Sequence, residues 1–440
     1  MREKIYYKDI RVDGKLSNLS MDIKSALNKL FSLHQFGIKL GLENIIDLLD
    51  QIGNPHRDLK SFHIAGSNGK GSTASFIASM MQEAGYKVGL YTSPHFVKFN
   101  ERIRINGRMI DDGYIAKFVS ELEESIDKNQ LTFFEVTTAL AFKYFNEQEV
   151  DYAVIETGLG GRLDATNVIN PIASVITSIS LEHVQYLGNT IEKIAYEKGG
   201  IIKPNTFVFT GTMPEEAEKV IREKSDELNC RYFGINSFIK NENDRVLVSL
   251  NKKEYSVYST PLIGAHQLYN SALAVKVINK CLGIENGIII SRGISNVKIN
   301  SGIEGRYEII NISPRIIFDS AHNPEGVQSF VNEFAKEYET YKERILIFGA
   351  MKDKNVREML KSIHFYFHKI FITEIKTERS AKFEELEEIS DSLNIKVNRL
   401  VDTDSFIKEF KRIGQGNCLI VLGSIYLLGE IKSELLLENP

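Results

Sequence analysis

Among its 440 residues the chain has only three cysteines and nine prolines. Cys230, Cys281 and Cys418 lie far apart with no CxxC spacing. A paired disulfide framework is therefore excluded, and buried small hydrophobes are the expected role. With 31 glycines and 25% charged residues, the composition is that of a globular protein, which excludes disorder and fibre. Long hydrophobic runs are also lacking. The most apolar stretch, CLIVLGSIYLLG at 418–429, falls short of the ~20 residues that span a bilayer. The opening MREKIYYKDI has no apolar core of a secretory signal. Nor is there an excess of positive charge: 54 Lys+Arg stand against 58 Asp+Glu, a net charge of −4, without the basic field on which nucleic-acid affinity rests. These absences predict a soluble cytoplasmic protein with no membrane or nucleic-acid partner. Composition does not determine the oligomeric state; a monomer is expected. At roughly 100–200 residues per domain, the length allows two or three domains.

From about residue 60 short β-branched runs alternate with helical patterns, which predicts a parallel sheet flanked by helices. Buried strands are expected at 61–66, 88–93, 151–157, 173–179 and 206–210. Helices are expected from about Ser72 to Ala84 and over 266–283. Polar alternation between Ser237 and Ser259 predicts an antiparallel hairpin region. A second α/β series follows from Tyr307, with strands in RYEII, RIIFDSA, RILIFGA, KIFITEI and CLIVLGS and helices over Pro324–Tyr338 and 355–364. The aperiodic segment 295–305 reads as a loop between the series. The fold class is thus α/β: an ATP-binding domain over 1–298, with a mostly parallel sheet and a small antiparallel one, then a Rossmann-like domain over 299–440.

Chemistry concentrates first at Ser67, Asn68, Gly69, Lys70, Gly71 and Ser72, between a strand and a helix. Small residues there let backbone amides fold around phosphate at a positive helix terminus, and Lys70 can reach the β and γ phosphates. The spacing departs from GxxxxGK[ST], because Gly66 is four residues before Lys70. Phosphate binding alone leaves kinase, motor, transport ATPase and ligase open. Glu156 ends the strand DYAVIET, where an acid beside a phosphate loop can hold Mg²⁺. Ser93 and His183 stand at two further strand ends. Histidine is an unusual ligand for a hard ion, and a buried imidazole is its ordinary role, but three strand ends converging on one crevice strengthen all three. GLGGRLDATN does not fit GxGxxG, which argues against a dinucleotide oxidoreductase.

The segments SNGKGS, TSPHFVKFNERIRING, ETGLGGRLDATN, TSISLEHVQYLGNTIEKIAYEKGGIIKP, GAHQLYNSALA, EGRYE, FDSAHNP and VLGSIYLLGE occur in this order. Together they resemble folylpolyglutamate synthase, including its bifunctional dihydrofolate synthase form, within the Mur ligase superfamily. The likeness runs from about Leu33 to Glu430. It implies an ATP-dependent amide ligase that adds L-glutamate to the γ-carboxylate of a reduced folate or folylpolyglutamate through an acyl phosphate, with dihydropteroate as a second acceptor in the bifunctional form. By that resemblance Ser67–Ser72, Asn270, Arg306 and Asp319 contact ATP. Ser93, Glu156 and His183 bind Mg²⁺, and Lys198, carbamylated, holds a second ion. Lys70, Lys198 and His322 are the implied catalytic residues. Leu33, His34, Thr132, Phe133, Phe134, Glu135, Leu163, Asp164 and Ala165 meet the pterin end, and Ser424, with His322, meets the incoming glutamate. The chain departs from the family pattern at Glu182, Gly199 and Glu304, where Asp, Ala and Pro are usual. The competing readings are a cell-wall Mur ligase acting on a UDP-muramyl peptide, a non-ligase phosphate-loop ATPase and a noncatalytic nucleotide-binding module.

Overall fold

A computed structural model describes residues 21–37, 39–242, 245–251, 253–413 and 415–437. The segment MREKIYYKDI lies outside them. The chain builds three sheets. The first contains β1 (Ser61–Ala65), β2 (Val88–Tyr91), β3 (Ile103–Ile105), β4 (Arg108–Met109), β5 (Tyr152–Glu156), β6 (Ala173–Ile176), β7 (Phe207–Thr210) and β8 (Arg231–Gly234), in the order β4-β3-β2-β5-β1-β6-β7-β8. β2, β5, β1, β6, β7 and β8 pair in parallel, while β2–β3 and β3–β4 at the edge are antiparallel. Both faces are covered. Phe62, Ile64, Val154 and Leu90 enter one core, while Tyr91, Ala153 and Ile155 enter the other. Successive residues of a strand point to opposite faces, so continuous apolar runs are what a doubly covered sheet requires.

Polar alternation at 237–259 yields a three-stranded antiparallel sheet, not a single hairpin: β9 (Ile239–Glu242), β10 (Arg245–Ser249) and β11 (Glu254–Val257). The helix Ala265–Leu282 packs its buried residues between this sheet and the helix Lys70–Glu83. The third sheet contains β12 (Glu308–Asn311), β13 (Arg315–Asp319), β14 (Arg344–Phe348), β15 (Lys369–Ile372), β16 (Asn398–Arg399) and β17 (Cys418–Leu422), in the order β12-β13-β17-β14-β15-β16. It is parallel apart from β12.

Segment 295–305 is not the expected loop. It carries the end of the helix Gly287–Ser295 and all of the helix Val297–Ser301. Ser79 and Glu83 of the helix Lys70–Glu83 bond to Gly293, Asn296 and Asn300, which ties both short helices to that helix. Aperiodic SNVKINSGIEG hides this because a five-residue helix gives too few repeats to read. A division at 298/299 cuts that helix. The expected helix Pro324–Tyr338 ends earlier, at Phe334. Cys418 is buried and Cys230 and Cys281 half-buried, all as free thiols. Among the described residues no helix is long and apolar enough to cross a membrane.

The helix Ile425–Leu437 runs close to the loop after β2, and a Cβ at Gly429 would run into the Phe96 carbonyl oxygen. Gly429→Ala should therefore lower stability by about 1–3 kcal/mol despite alanine's better helix propensity, as measured by urea unfolding. Buried His63, in the middle of β1, generates a second expectation. Thr166 donates its hydroxyl to Asp164 at 2.5 Å, so at 2.8 Å it accepts from His63 Nε2–H, leaving Nδ1 unprotonated and without a partner. Burial pushes the His63 pKa down from 6.5 to about 3. Between those values the unfolded chain binds the extra proton, so stability is lost as pH falls. His63→Gln should flatten the decline of the urea midpoint from pH 6.5 to 4; an unchanged slope would count against a neutral His63.

Candidate active site

The phosphate loop leaves β1 at its carboxyl end, between β5 and β6, where the strand order reverses and a crevice opens. Gly69 takes φ +82°, a left-handed conformation, and the Asn270 amide lies where its Cβ would be. Lys70 Nζ donates to the carbonyls of Gly66 (2.8 Å) and Ser67 (3.3 Å). The loop is fastened to the segment after β6. Asn68 N donates to Ser178 Oγ at 2.9 Å, and Thr177 Oγ1 donates to the Asn68 carbonyl at 2.6 Å. Ser180 N donates to Ser67 Oγ at 2.9 Å. Gly71 and buried Ser72 begin the helix Lys70–Glu83, with Glu156 and Arg306 beside Gly71.

Glu156 closes β5 and is buried. Its Oε2 accepts from Ser93 N at 3.0 Å, and burial pushes its carboxyl above the usual range despite Lys70 nearby. His183 is not at a strand end: it lies seven residues past β6, with φ +45°, at the start of the short helix Val184–Leu187. Burial, then Lys354, lowers its pKa to about 4, so the imidazole is neutral. Its Nε2 is 3.3 Å from Lys354 Nζ and its Nδ1 3.9 Å from Asp353. Lys198, buried in the last turn of the helix Ile191–Gly199, donates to Glu182 Oε1 at 2.7 Å and to the Gly66 carbonyl at 2.9 Å. Burial pushes the Lys198 pKa down, opposed by Glu182. Burial raises Glu182 in turn, but Lys198 and Lys70 together outweigh it and hold that carboxyl far below its ordinary value. Among the described residues no three His, Cys, Asp or Glu side chains form a ready-made cage. Mg²⁺ does not require one: it takes one or two carboxylates, then water and phosphate oxygens. The Glu156 carboxylate beside Ser93 and the phosphate loop fits that habit.

The third sheet presents its carboxyl edge to the same crevice. Asp319 ends β13, half-buried, and its carboxylate accepts from Tyr307 N (2.7 Å) and Ala321 N (2.8 Å). Arg306 donates to Ser320 Oγ and to the Gly305 carbonyl. Asn270 donates to Gln267 Oε1 at 3.1 Å, next to the loop. His322 pairs Nδ1–H with the Ser320 carbonyl at 2.9 Å, which leaves Nε2 as an acceptor. Burial, then Lys354, lowers its pKa to about 4. Ser424 lies buried after β17, its Oγ accepting from Tyr426 N at 3.2 Å. Direct contacts join the two edges. Asn68 Nδ2 donates to Glu325 at 2.5 Å, and Asn323 Nδ2 donates to Asn68 Oδ1 at 3.0 Å.

The substrate set divides in two. His34 stacks on Phe133 with ring centroids 4.3 Å apart, above buried Leu33. Thr132 and Glu135 instead cap the helix Phe133–Glu147 reciprocally: Thr132 N donates to Glu135 Oε2 at 2.7 Å and Glu135 N to Thr132 Oγ1 at 3.2 Å. Asp164 binds the amides of Gly158 (2.9 Å) and Leu159 (2.7 Å), so it shapes the loop. Phe134 lies against Gly158, Ala165 is buried and Leu163 half-buried. Sequence reading missed Phe31, His95, Phe99 and Arg102, which complete the ring cluster around Phe133. It also missed Asn323, Glu325 and Lys354. His95 and Arg102 lie within the motif TSPHFVKFNERIRING, so their signal was present without a partner to explain it.

Known proteins agree with this architecture. Residues 64–278 match the Mur ligase middle domain and 305–425 the Mur ligase glutamate ligase domain. The chain is 36% identical to the dihydrofolate synthase/folylpolyglutamate synthase of Bacillus subtilis, over 91% of this chain and 96% of the relative. It is 31% identical to the Escherichia coli protein of the same name, over 83% and 84%. The folylpolyglutamate synthase of Mycobacterium tuberculosis complexed with ADP superposes with a TM-score of 0.83 at 27% identity, covering 94% of this chain and 99% of that one. E. coli FolC in complex with DHPP and ADP gives 0.84 at 26%, covering 95% and 99%. With that identity sustained over nearly the whole length of both chains, the protein belongs to the dihydrofolate synthase/folylpolyglutamate synthase family.

Proposed function

We propose that the protein is an ATP-dependent ligase that joins L-glutamate to the γ-carboxylate of a reduced folate or folylpolyglutamate through an acyl phosphate. The observation that carries this reading is the meeting of two carboxyl edges: the phosphate loop with Lys70 and Glu156 on one side, His322 and Ser424 on the other, joined through Asn68. A hydrolase needs no second surface there, whereas an amide ligase must hold an amine against an activated acid and keep water out. In a bifunctional enzyme, as the relatives' double name implies, the same activation would act on the benzoate carboxylate of dihydropteroate and give dihydrofolate. The two halves divide after the helix Val297–Ser301, within 302–307.

Joining an amine to a carboxylate is uphill in water, so the carboxylate oxygen first attacks the γ-phosphorus of ATP and ADP departs. Two anions must approach, and Lys70 supplies positive charge by exchanging its bonds to the Gly66 and Ser67 carbonyls for phosphate oxygens. Ser93, Glu156 and His183 are the residues to hold one Mg²⁺ and carbamylated Lys198 a second, the ions neutralising phosphate charge. A buried lysine with a depressed pKa favours the neutral amine that carbamylation requires. Arg306, beside Gly71, adds a cation from the second half, and Asp319 holds the turn that places it. His322 offers Nε2 to the ammonium of the incoming glutamate, and Ser424 a hydroxyl to its carboxylate. The amine attacks the acyl phosphate, the tetrahedral intermediate collapses, and phosphate leaves.

ADP release should rise with tetrahydrofolate plus L-glutamate and stay flat with a UDP-muramyl peptide; stimulation by the latter alone would overturn the reading. Lys70→Ala should reduce turnover about 10²–10³-fold and weaken ATP binding, read by steady-state kinetics and nucleotide titration. Lys198→Ala should lose most activity, about 10²-fold, and regain part of it with added short carboxylates. Wild-type turnover in that variant would remove Lys198 from the mechanism.

A further inference from the structure

The loop after β2 does not stay within its own half. Phe96, 8% exposed, is buried among Ile316, Phe318, Leu427, Leu428 and Ile431. Among the described residues, every other buried member of that core comes from the second half. The Phe96 ring lies where a Cβ of Gly305 would stand, and its carbonyl oxygen where a Cβ of Gly429 would stand. Lys432 closes the seat, with Nζ 5.2 Å from the ring centroid and paired with Glu304 (2.8 Å) and Glu308 (3.1 Å). Glu308 also accepts from Gly305 N at 2.8 Å, so the same charges shape the connecting segment over the ring. From the first half Glu101 holds the loop: its carboxylate accepts the amides of Phe96 (2.7 Å), Val97 (3.0 Å) and Lys98 (2.6 Å). At the start of the same loop, Ser93 N donates to Glu156 at 3.0 Å.

Both neighbours of Phe96 lead to the residues proposed for the incoming glutamate. The Gly305 carbonyl accepts from Ser320 N at 3.0 Å, and the Ser320 carbonyl pairs with His322 Nδ1–H at 2.9 Å. Gly429 lies in the helix Ile425–Leu437, which Ser424 immediately precedes, about 7.5 Å along the axis from that serine. The Ser424 carbonyl accepts from Leu428 N at 3.3 Å, which joins the serine to the turn that rests on Phe96. A side chain in a close-packed core cannot shift without moving its neighbours. We infer that Phe96 is a positioning residue for the ligation step: seated between Gly305 and Gly429, it sets where the second half holds His322 and Ser424 against the phosphate loop. This rests on the folate-ligase reading and adds to it the part of the first half that keeps the second in place. Loss of the seat opens the crevice to water. Water then attacks the acyl carbon in place of the glutamate amine. The bond from that carbon to the phosphate oxygen breaks, phosphate leaves, and the folate carboxylate is returned with release of a proton. ATP is consumed and no amide bond forms.

The test compares ADP released with glutamate joined, using the full-length protein, ATP, Mg²⁺, tetrahydrofolate and radiolabelled L-glutamate. Only ADP release that depends on the folate is counted. Wild type should yield the two in equal amounts. Phe96→Ala should release about twofold or more ADP over glutamate joined, with the KM for glutamate raised about tenfold. Phe96→Leu, which refills most of the seat, should fall between them. The ratio is blind to unfolded enzyme, which makes neither product, so a loss of stability alone leaves it unchanged. Should Phe96→Ala yield no folded or active protein, Gly429→Ala decides, since it presses on the same seat from the second half. Equal amounts in the deciding variant overturn the inference and leave the ligase reading standing. A wild type without folate-dependent ADP release removes that reading, and the inference with it.

Discussion

The molecule depends on one helix that has no face to solvent. From Ser72 to Met81 every residue of the helix Lys70–Glu83 is buried, between the first sheet and the helices Ala265–Leu282, Gly287–Ser295 and Val297–Ser301. Such a helix cannot shift without disturbing packing on all sides. Its amino end, and the loop that wraps phosphate, are therefore held by the core itself. The bonds from Thr177 and Ser178 to Asn68 fasten the other side of the loop.

On that fixed loop the two α/β halves meet by the same rule applied twice. In open parallel sheets the crevice lies beyond the carboxyl ends of the strands. Here one crevice is made from two such edges, and buried titratable groups with displaced pKa values collect along both. Glu156, Asp164 and Asp319 are pushed up by burial, while His183 and His322 are pushed down. The Glu182–Lys198 pair is the exception: the longer acid at 182 reaches the lysine and satisfies it.

The strands that carry the site were legible because parallel strands buried on both faces read as short apolar runs. Glu156 at the end of β5 and the loop after β1 needed no more than that, whereas His183, seven residues past β6, and Lys198, on a helix, do not follow a strand directly. What escaped was short or polar. The β3–β4 edge has five residues in all, and the Val297–Ser301 helix another five, too few for a period to emerge. Thr132, Glu135 and Asp164 were legible as important but not in kind, since a cap and a ligand contact use the same side chains. Arg102 escaped because burial of an arginine cannot be read along the chain; it depends on a ring from residue 133 and a histidine from residue 95 arriving from separate elements.

The Asn68 amide carries a further consequence. It gives a hydrogen to Glu325 and takes one from Asn323, while its own backbone is tied to Thr177 and Ser178. An amide is the only short side chain that can do both at once, for aspartate would face Glu325 with like charge and serine would not span the gap. With the contact of His183 to Lys354, that amide fastens the second half to the phosphate loop itself. The position of the half bearing His322 and Ser424 is therefore tied to the position of the loop, and a shift of Asn68 would break two bonds to that half together.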